Sequence, residues 1–559
     1  MLSKIGVKIQ IAKSAERFRS KRRFAETKHN GRKSFTPINN LNNSMNTSVL
    51  KLTLAIATIA ATQVIVQAQT NAASAAAPAA PPGAVEQWIQ GVKNPVDWFT
   101  WGGDFRVRNE YFNNAVSLGS GPSSGPFAPV HEQDYFRFRG RIGASFFPAV
   151  FTSITNDLSF NVRLAAEPRE FMKPSTMDNY FEQLGMQWRY GIIDTLNVQW
   201  KKPLDLPATV TVGRQDINLG DNWLFGDGTP EDGSFTSFLD SARVTVDLKD
   251  QHTTIDAIGI VQYGRPDAWL PTIGPSTSQG GNPQGGTVNP YLLTDQNEKG
   301  AVLYIANKSL PEANLDGFFI YKHDSALNDY PASIFSDNAD IFTFGGRVSG
   351  LVAEHWNYSA EGAYQFGRKQ YQYNMPGGAP APAAADGQFH DLNAFGVNSK
   401  ISYLFKDKMN DQLSMVFEFL SGDNPKTGND EMFDVLWGRW PQWSEMYNIY
   451  SYVNETRVGQ TANLIRFGPT WSLDPIKDMN FSLSYNALFA DQDVPTQATV
   501  PTAFTGTGDF RGHYLQAVLK YKFSKHVSGH LWSEFLFPGD YYVSRGMMDF
   551  LRAEVLFTF

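Results

Sequence analysis

Arginine recurs at every second position in Phe136-Arg137-Phe138-Arg139-Gly140-Arg141-Ile142. A spacing of two puts alternate side chains on one face of an extended strand. Three guanidinium groups therefore share one side, and Phe136, Phe138 and Ile142 share the other. Like charges on one face repel, so folding alone asks for no such stripe. The chemistry it suits is attraction of anions, with a water-filled channel or a bound anion to solvate the charges. Other segments repeat the pattern: Arg106, Arg108 and Glu110 share a face, as do Arg163, Glu167 and Arg169, and as do Arg243 and Asp247. Arg347 and Arg552 also fall on polar faces. Across these six segments ten Arg stand against four acids (Glu110, Glu167, Asp247 and Glu554), a local balance of +6. Arg214 and Arg466 are ambiguous in face; Arg214 is kept as a candidate pore-lining residue. The plain alternative is a ladder of Arg and acid that stiffens a wall without selecting a solute.

Other chemistries find less support. The His residues are scattered, and neither H-E-x-x-H nor G-x-S-x-G occurs. Glu167 and Glu170 could act as a carboxylate pair for glycoside cleavage, but Pro168 between them and Arg169 beside them favour an ion-paired loop. The absence of Cys excludes disulfides, thiol catalysis and Cys-ligated metal. No catalytic residue, metal ligand or cofactor is expected.

The elements that must hold the arginines are strands. In 480–489, Phe481, Leu483, Tyr485, Ala487 and Phe489 fall on one face and Asn480, Ser482, Ser484 and Asn486 on the other. The same period runs through 356–366, 413–421 and 514–523. About 18 such segments follow Gly102, a number suited to a closed transmembrane barrel. Aromatic residues make up 14% of the chain and charged residues only 18%, and the apolar face is rich in Phe, Tyr and Trp, as a lipid-facing surface requires. A soluble sandwich would carry dense Lys and Glu on its polar face. The fold expected is all-β, a transmembrane antiparallel β-barrel over 102–559. Tight turns are expected at 193–194, 249–252 and 353–355. Long outer loops are expected at 265–297, 374–390, 422–460 and 491–508. Trp437, Trp440, Trp443 and Tyr447 in the third of these would suit stacking on sugars.

The start of the chain has its own logic. Lys51, the apolar run 52–66 and the small residues of Val66-Gln67-Ala68 read as a signal peptide over 45–68, which predicts Gln69 or a near neighbour as the mature N-terminus. Residues 1–44 hold 11 Lys/Arg against 2 Glu and are read as a basic extension or a misassigned upstream start, with translation beginning at Met45. An Ala/Pro linker and a short amphipathic segment fill 69–101. Removing 1–68 leaves 36 basic against 53 acidic residues, a net charge of −17. The acidic excess must then lie chiefly in loops and turns, while an Arg-lined wall focuses positive potential.

Several longer motifs carry a resemblance: Gly103-Asp104-Phe105-Arg106-Val107-Arg108, Val212-Gly213-Arg214-Gln215-Asp216, Phe238-Leu239-Asp240-Ser241-Ala242-Arg243, Ser421-Gly422-Asp423 and Phe537-Pro538-Gly539-Asp540-Tyr541. Together they are similar to the alginate export porin family of the Gram-negative outer membrane, from about residue 100 to the end. The resemblance implies a monomeric barrel whose Arg-lined lumen conducts an anionic uronate poly- or oligosaccharide outwards, with Arg106, Arg108, Arg137, Arg139, Arg141 and Arg243 at matching positions. A nutrient porin for neutral or other small solutes is the alternative, since one fold serves many solutes. The strand that ends at Phe559 resembles the signal read by the outer-membrane assembly machinery. Lipid is then the surrounding partner, and nucleic acid is not expected to be one.

Overall fold

Alternating residues here fold into strands whose apolar side faces outward, the reverse of a soluble sandwich. The computed structural model describes residues 84–115, 132–147, 157–173, 185–187, 191–226, 238–264, 269–270, 273, 293–294, 296–327, 335–373, 386–438, 441–450, 455, 462–498 and 501–559. The basic extension, the signal peptide and the linker up to residue 83 lie outside the described residues.

A helix, α1 (Ala84–Lys93), precedes the barrel. The first strands are β1 (Phe99–Asn113), β2 (Glu132–Phe146), β3 (Leu158–Ala166), β4 (Arg169–Lys173), β5 (Gly185–Gln187), β6 (Ile192–Lys201) and β7 (Ala208–Gln215). Then come β8 (Leu239–Leu248), β9 (Thr253–Gln262), β10 (Asn297–Asn307), β11 (Asn314–Ser325), β12 (Phe335–Val352), β13 (Trp356–Tyr373) and β14 (His390–Leu404). The last are β15 (Gln412–Leu420), β16 (Leu464–Leu473), β17 (Met479–Phe489), β18 (Phe510–Lys522), β19 (Val527–Pro538) and β20 (Met548–Thr558). A short helix, α2 (Glu445–Tyr450), interrupts the connection from β15 to β16.

All pairings between these strands are antiparallel, and β1 pairs with β20 from Asp104↔Thr558 to Asn113↔Asp549, which closes the sheet. β3 and β4 pair with successive parts of β2, so they are two halves of one stave; β5 and β6 form another. The barrel therefore has 18 staves, as expected. The break between β3 and β4 follows from Pro168, which has no N–H for the ladder. The carbonyl of Pro168 still accepts from Phe138 N at 3.0 Å, and Glu167 is freed from the pairing and buried.

Two faces follow from the pleat. Leu303, Phe319, Phe344, Phe366, Ile401, Phe417 and Leu483 are exposed on the outside, and exposed apolar surface on this scale marks contact with another apolar medium. Short connections and both barrel termini share one end, the turn end; long connections share the other, the loop end. The turns at 249–252 and 353–355 are present. The expected turn at 193–194 is absent, because both residues lie inside β6: the half-stave β5 supplies the preceding residues and the chain does not reverse there.

α1 docks at the turn end. Trp101 Nε1 donates to the carbonyl of Val92 at 2.7 Å. Glu86 pairs with Lys525 and with His526 Nε2, the latter at 2.9 Å. Lys525, Gln90 and His526 hold the Glu86 carboxyl down at about 2, against an ordinary 4.5. A depressed carboxyl contributes fully above its ordinary value and loses that contribution as pH falls toward the docked value. A spin label on α1 should stay immobilised at neutral pH and gain mobility between pH 4.5 and about 2; unchanged mobility across that window would show that the ion pair does not hold the helix.

Candidate functional site: the lumen wall and the loops within it

Arg106, Arg108, Arg137, Arg139, Arg141, Arg163, Arg243 and Arg347 all stand on the inward faces of their strands. Arg214 does not. It is paired directly with Leu196 and with Asp240, and directly paired residues share a face; Leu196 and Val212 on that face are exposed on the outside. Near the loop end, the Arg214 guanidinium lies 2.8 and 3.0 Å from the two Asp240 oxygens and stacks over Phe238 at 4.0 Å and Trp269 at 5.4 Å. Its ties hold the wall to the loop that carries Trp269. Arg466, ambiguous from sequence, is inward: Nε donates to Glu418 at 3.0 Å and the guanidinium lies 4.7 Å from the Trp443 ring.

The expected balance of +6 is corrected by pairing. Each of the ten Arg lies within 4.0 Å of a carboxylate. Those partners are also ten: Asp104, Glu110, Glu167, Asp194, Asp216, Asp221, Asp256, Asp316, Glu445 and Glu554. The wall is an ion-paired ladder, which was the plain alternative. Asp104 was legible, two residues before Arg106 on the same face, and so were Asp256 and Asp316 on neighbouring polar faces. Asp216, Asp221 and Glu445 come from loops, and local periodicity says nothing about where a loop goes.

Glu110 sits at the centre of the tightest cluster. It accepts from Arg552 Nη2 at 2.5 Å, from Arg137 at 3.3 Å and from Arg108 at 3.4 Å, all buried. Glu167 accepts from Arg106 at 2.7 Å and from Arg137 at 2.7 Å. The other half of the suggested carboxylate pair is elsewhere: Glu170 opposes Phe136 and so shares the outer face. The two carboxyls lie on opposite sides of the wall, an arrangement unlike a glycosidase pair.

Two connections at the loop end fold into the lumen. Within 216–226, Ile217, Trp223, Leu224 and Phe225 are buried; within 421–450, so are Phe433, Val435, Leu436, Trp437, Met446 and Tyr447. They belong to one apolar cluster with inward residues of the wall, among them Val302, Tyr304, Phe318, Ile320 and Ile341 of β10 to β12. Gly300 and Gly396 make room: a Cβ at Gly300 would stand 2.3 Å from the Trp437 ring, and one at Gly396 would stand 2.9 Å from Phe433 and from Trp223. Trp437 Nε1 donates to Glu298 at 3.0 Å. Asp434 accepts from Lys369 at 3.0 Å, and its backbone exchanges hydrogen bonds with the Gln365 amide. Glu534 of β19 accepts from Ser444 Oγ and from the backbone N–H groups of Glu445 and Met446, which caps α2.

The expectation of an outer loop displaying Trp437, Trp443 and Tyr447 for sugars is therefore corrected. Trp437 and Tyr447 are buried against the wall, and Trp443 is half-buried between Arg466 and Tyr514. Trp440 lies outside the described residues. A signal for this was present: 301–305 and 318–321 are apolar on both faces, which means burial on both faces.

Beneath the inserted loops, toward the turn end, a cavity of about 550 Å³ remains, lined by Asp221, Arg347, Lys400 and Arg466 with Asn314, Asn357, Ser359 and Asn398 among its uncharged residues. Arg347 is paired there with Asp221 and Asp316, and Arg466 with Glu418. Lys400 is exposed on the inward side of β14 and forms no ion pair among the described residues.

No curated protein matches the chain by sequence. Among solved structures, the chain is similar to OccK8 (OprE) of Pseudomonas aeruginosa at 12% identity, covering 82% of this chain and 98% of that one, with TM-score 0.43. It is similar to a BenF-like porin from Pseudomonas fluorescens Pf-5 at 9% identity, covering 83% and 99%, with TM-score 0.45. OprD of Pseudomonas aeruginosa gives 10% identity, 82% and 95%, and TM-score 0.42. Residues 294–553, a span that contains β10 to β19 in full, match the family described as Alginate export.

Proposed function

We propose that the chain is an outer-membrane channel for an anionic saccharide, a uronate poly- or oligosaccharide of the alginate type. The observation that carries this reading is Lys400, which lines the cavity with Arg347 and Arg466 and forms no ion pair among the described residues. Arg347 is held by Asp221 and Asp316 and Arg466 by Glu418, which leaves Lys400 to meet a charged group; a cation beside Asn and Ser side chains suits a ligand that is both charged and rich in hydroxyls. The family match supports it. The apolar exterior supports a lipid surround, with the turn end toward the periplasm. The proposal includes a monomer, assembled through its C-terminal strand, with no catalytic role.

Lys400→Glu tests it. In planar bilayers the wild type should prefer anions in a salt gradient. The variant should lose most of that preference at low salt, and the difference should shrink as the Debye length falls below about 8 Å. A wild type that prefers cations would overturn the reading. The neutral ten-to-ten pairing of the Arg ladder favours a second reading, a nutrient porin for neutral solutes. Block of the current by a neutral oligosaccharide, unaffected by Lys400→Glu, would select it.

A further inference from the structure

Helix α1 is amphipathic the wrong way round for a segment packed on a protein. With 3.6 residues per turn, Ala84, Trp88, Gly91 and Val92 line one stripe, and Glu86, Gln90 and Lys93 line the opposite one. The polar stripe meets the barrel: Glu86 holds Lys525 and His526, and Lys93 Cε lies 3.3 Å from where a Cβ on Gly102 would stand. The apolar stripe points away, and Trp88 is 68% exposed. A helix that turns its charges toward the barrel and its indole away suits an apolar medium outside.

The neighbouring surface says which medium. Trp101, whose indole N–H holds the carbonyl of Val92, packs on Phe559 with ring centroids 5.7 Å apart, and both face outward. Trp98, 51% exposed, packs on Phe99 at 6.2 Å, and Phe99 on Phe146 at 5.0 Å. Phe147 and Phe559 are exposed beside them. The apolar stripe of α1 thus lies beside an aromatic patch on the outside of β1, β2 and the end of β20 at the turn end.

We propose that α1 lies in the headgroup region of the adjacent leaflet, with Trp88 and Val92 among lipid and the Glu86 cluster tying it to the rim. The inference rests on the membrane reading given above. Interfacial helices sink their apolar face about 5–10 Å into the headgroup and acyl boundary, and Trp is favoured at that depth. Lys93 and Lys525 flank the helix and suit anionic headgroups.

The chain has no Cys, so Trp88→Cys offers one site for an environment-sensitive fluorophore. The full barrel is reconstituted in phosphatidylcholine vesicles containing a lipid spin-labelled either near the headgroup or near the end of its acyl chain. Leu303→Cys, on the exposed outer face, serves as the reference in lipid, and Lys426→Cys, in an exposed loop, as the reference in water. The expected result is blue-shifted emission at 88 with several-fold stronger quenching by the shallow label than by the deep one. Water-like, unquenched emission at 88 with normal quenching at 303 would overturn the inference and leave the stripe to a protein partner or a second copy. Failure of quenching at both 88 and 303 would overturn the inference together with the membrane reading on which it rests.

Discussion

Replacement of Glu110 by Ala should cost about 3–5 kcal/mol of unfolding free energy, because it removes a buried carboxylate shared by three buried arginines. Arg108, Arg137 and Arg552 all converge on Glu110, and none of the three is more than slightly exposed. Glu554 still holds Nε and Nη2 of Arg108, Glu167 holds Nε and Nη2 of Arg137, and Glu445 holds Nη2 of Arg552, which limits the loss without cancelling it. Urea unfolding in vesicles measures the effect, and a change under about 1 kcal/mol would mean that water reaches the cluster and screens it. Replacing Arg137, Arg139 and Arg141 by Ser leaves the outward Phe136, Phe138 and Ile142 untouched, but Asp104 loses both of its partners and Glu167 loses one. That variant should be destabilised as well, so it is a poor probe of selectivity; Lys400→Glu avoids the difficulty.

Replacing 430–450 by a short Gly/Ser linker should raise single-channel conductance several-fold. A barrel of this size encloses an aqueous channel once its lumen is clear; here Phe433 and Trp437 fill space inside β10 to β14, and Met446 and Tyr447 lie on the side of β18 and β19. Their removal exposes Lys369 and Lys322, which lose Asp434 and regain water in its place. The stability lost with the apolar cluster should appear as a lower unfolding midpoint. Conductance equal to wild type in a barrel that still shows heat-modifiable migration would place the limiting constriction elsewhere, in the β1, β2 and β20 ion-pair cluster.

The class of fold, the faces of most strands and the inward direction of eight of the nine candidate arginines were legible because a period of two is a local property: each strand reports its own faces wherever it pairs. Arg214 escaped because its neighbours Gly213 and Gln215 gave no apolar contrast, and only its pairing with Leu196 and Asp240 assigned its face. Pairing also decided the charge of the wall. Asp104 and Asp256 stood on polar faces from the start, but a count of charges along single strands cannot show that each Arg ends within reach of an acid on another strand or loop. The descent of 421–450 into the lumen was visible only indirectly, in the apolar runs 301–305 and 318–321. The route of a long connection is set by what it can bury at its far end, and that partner surface, assembled from β10 to β14, exists only once the barrel has closed.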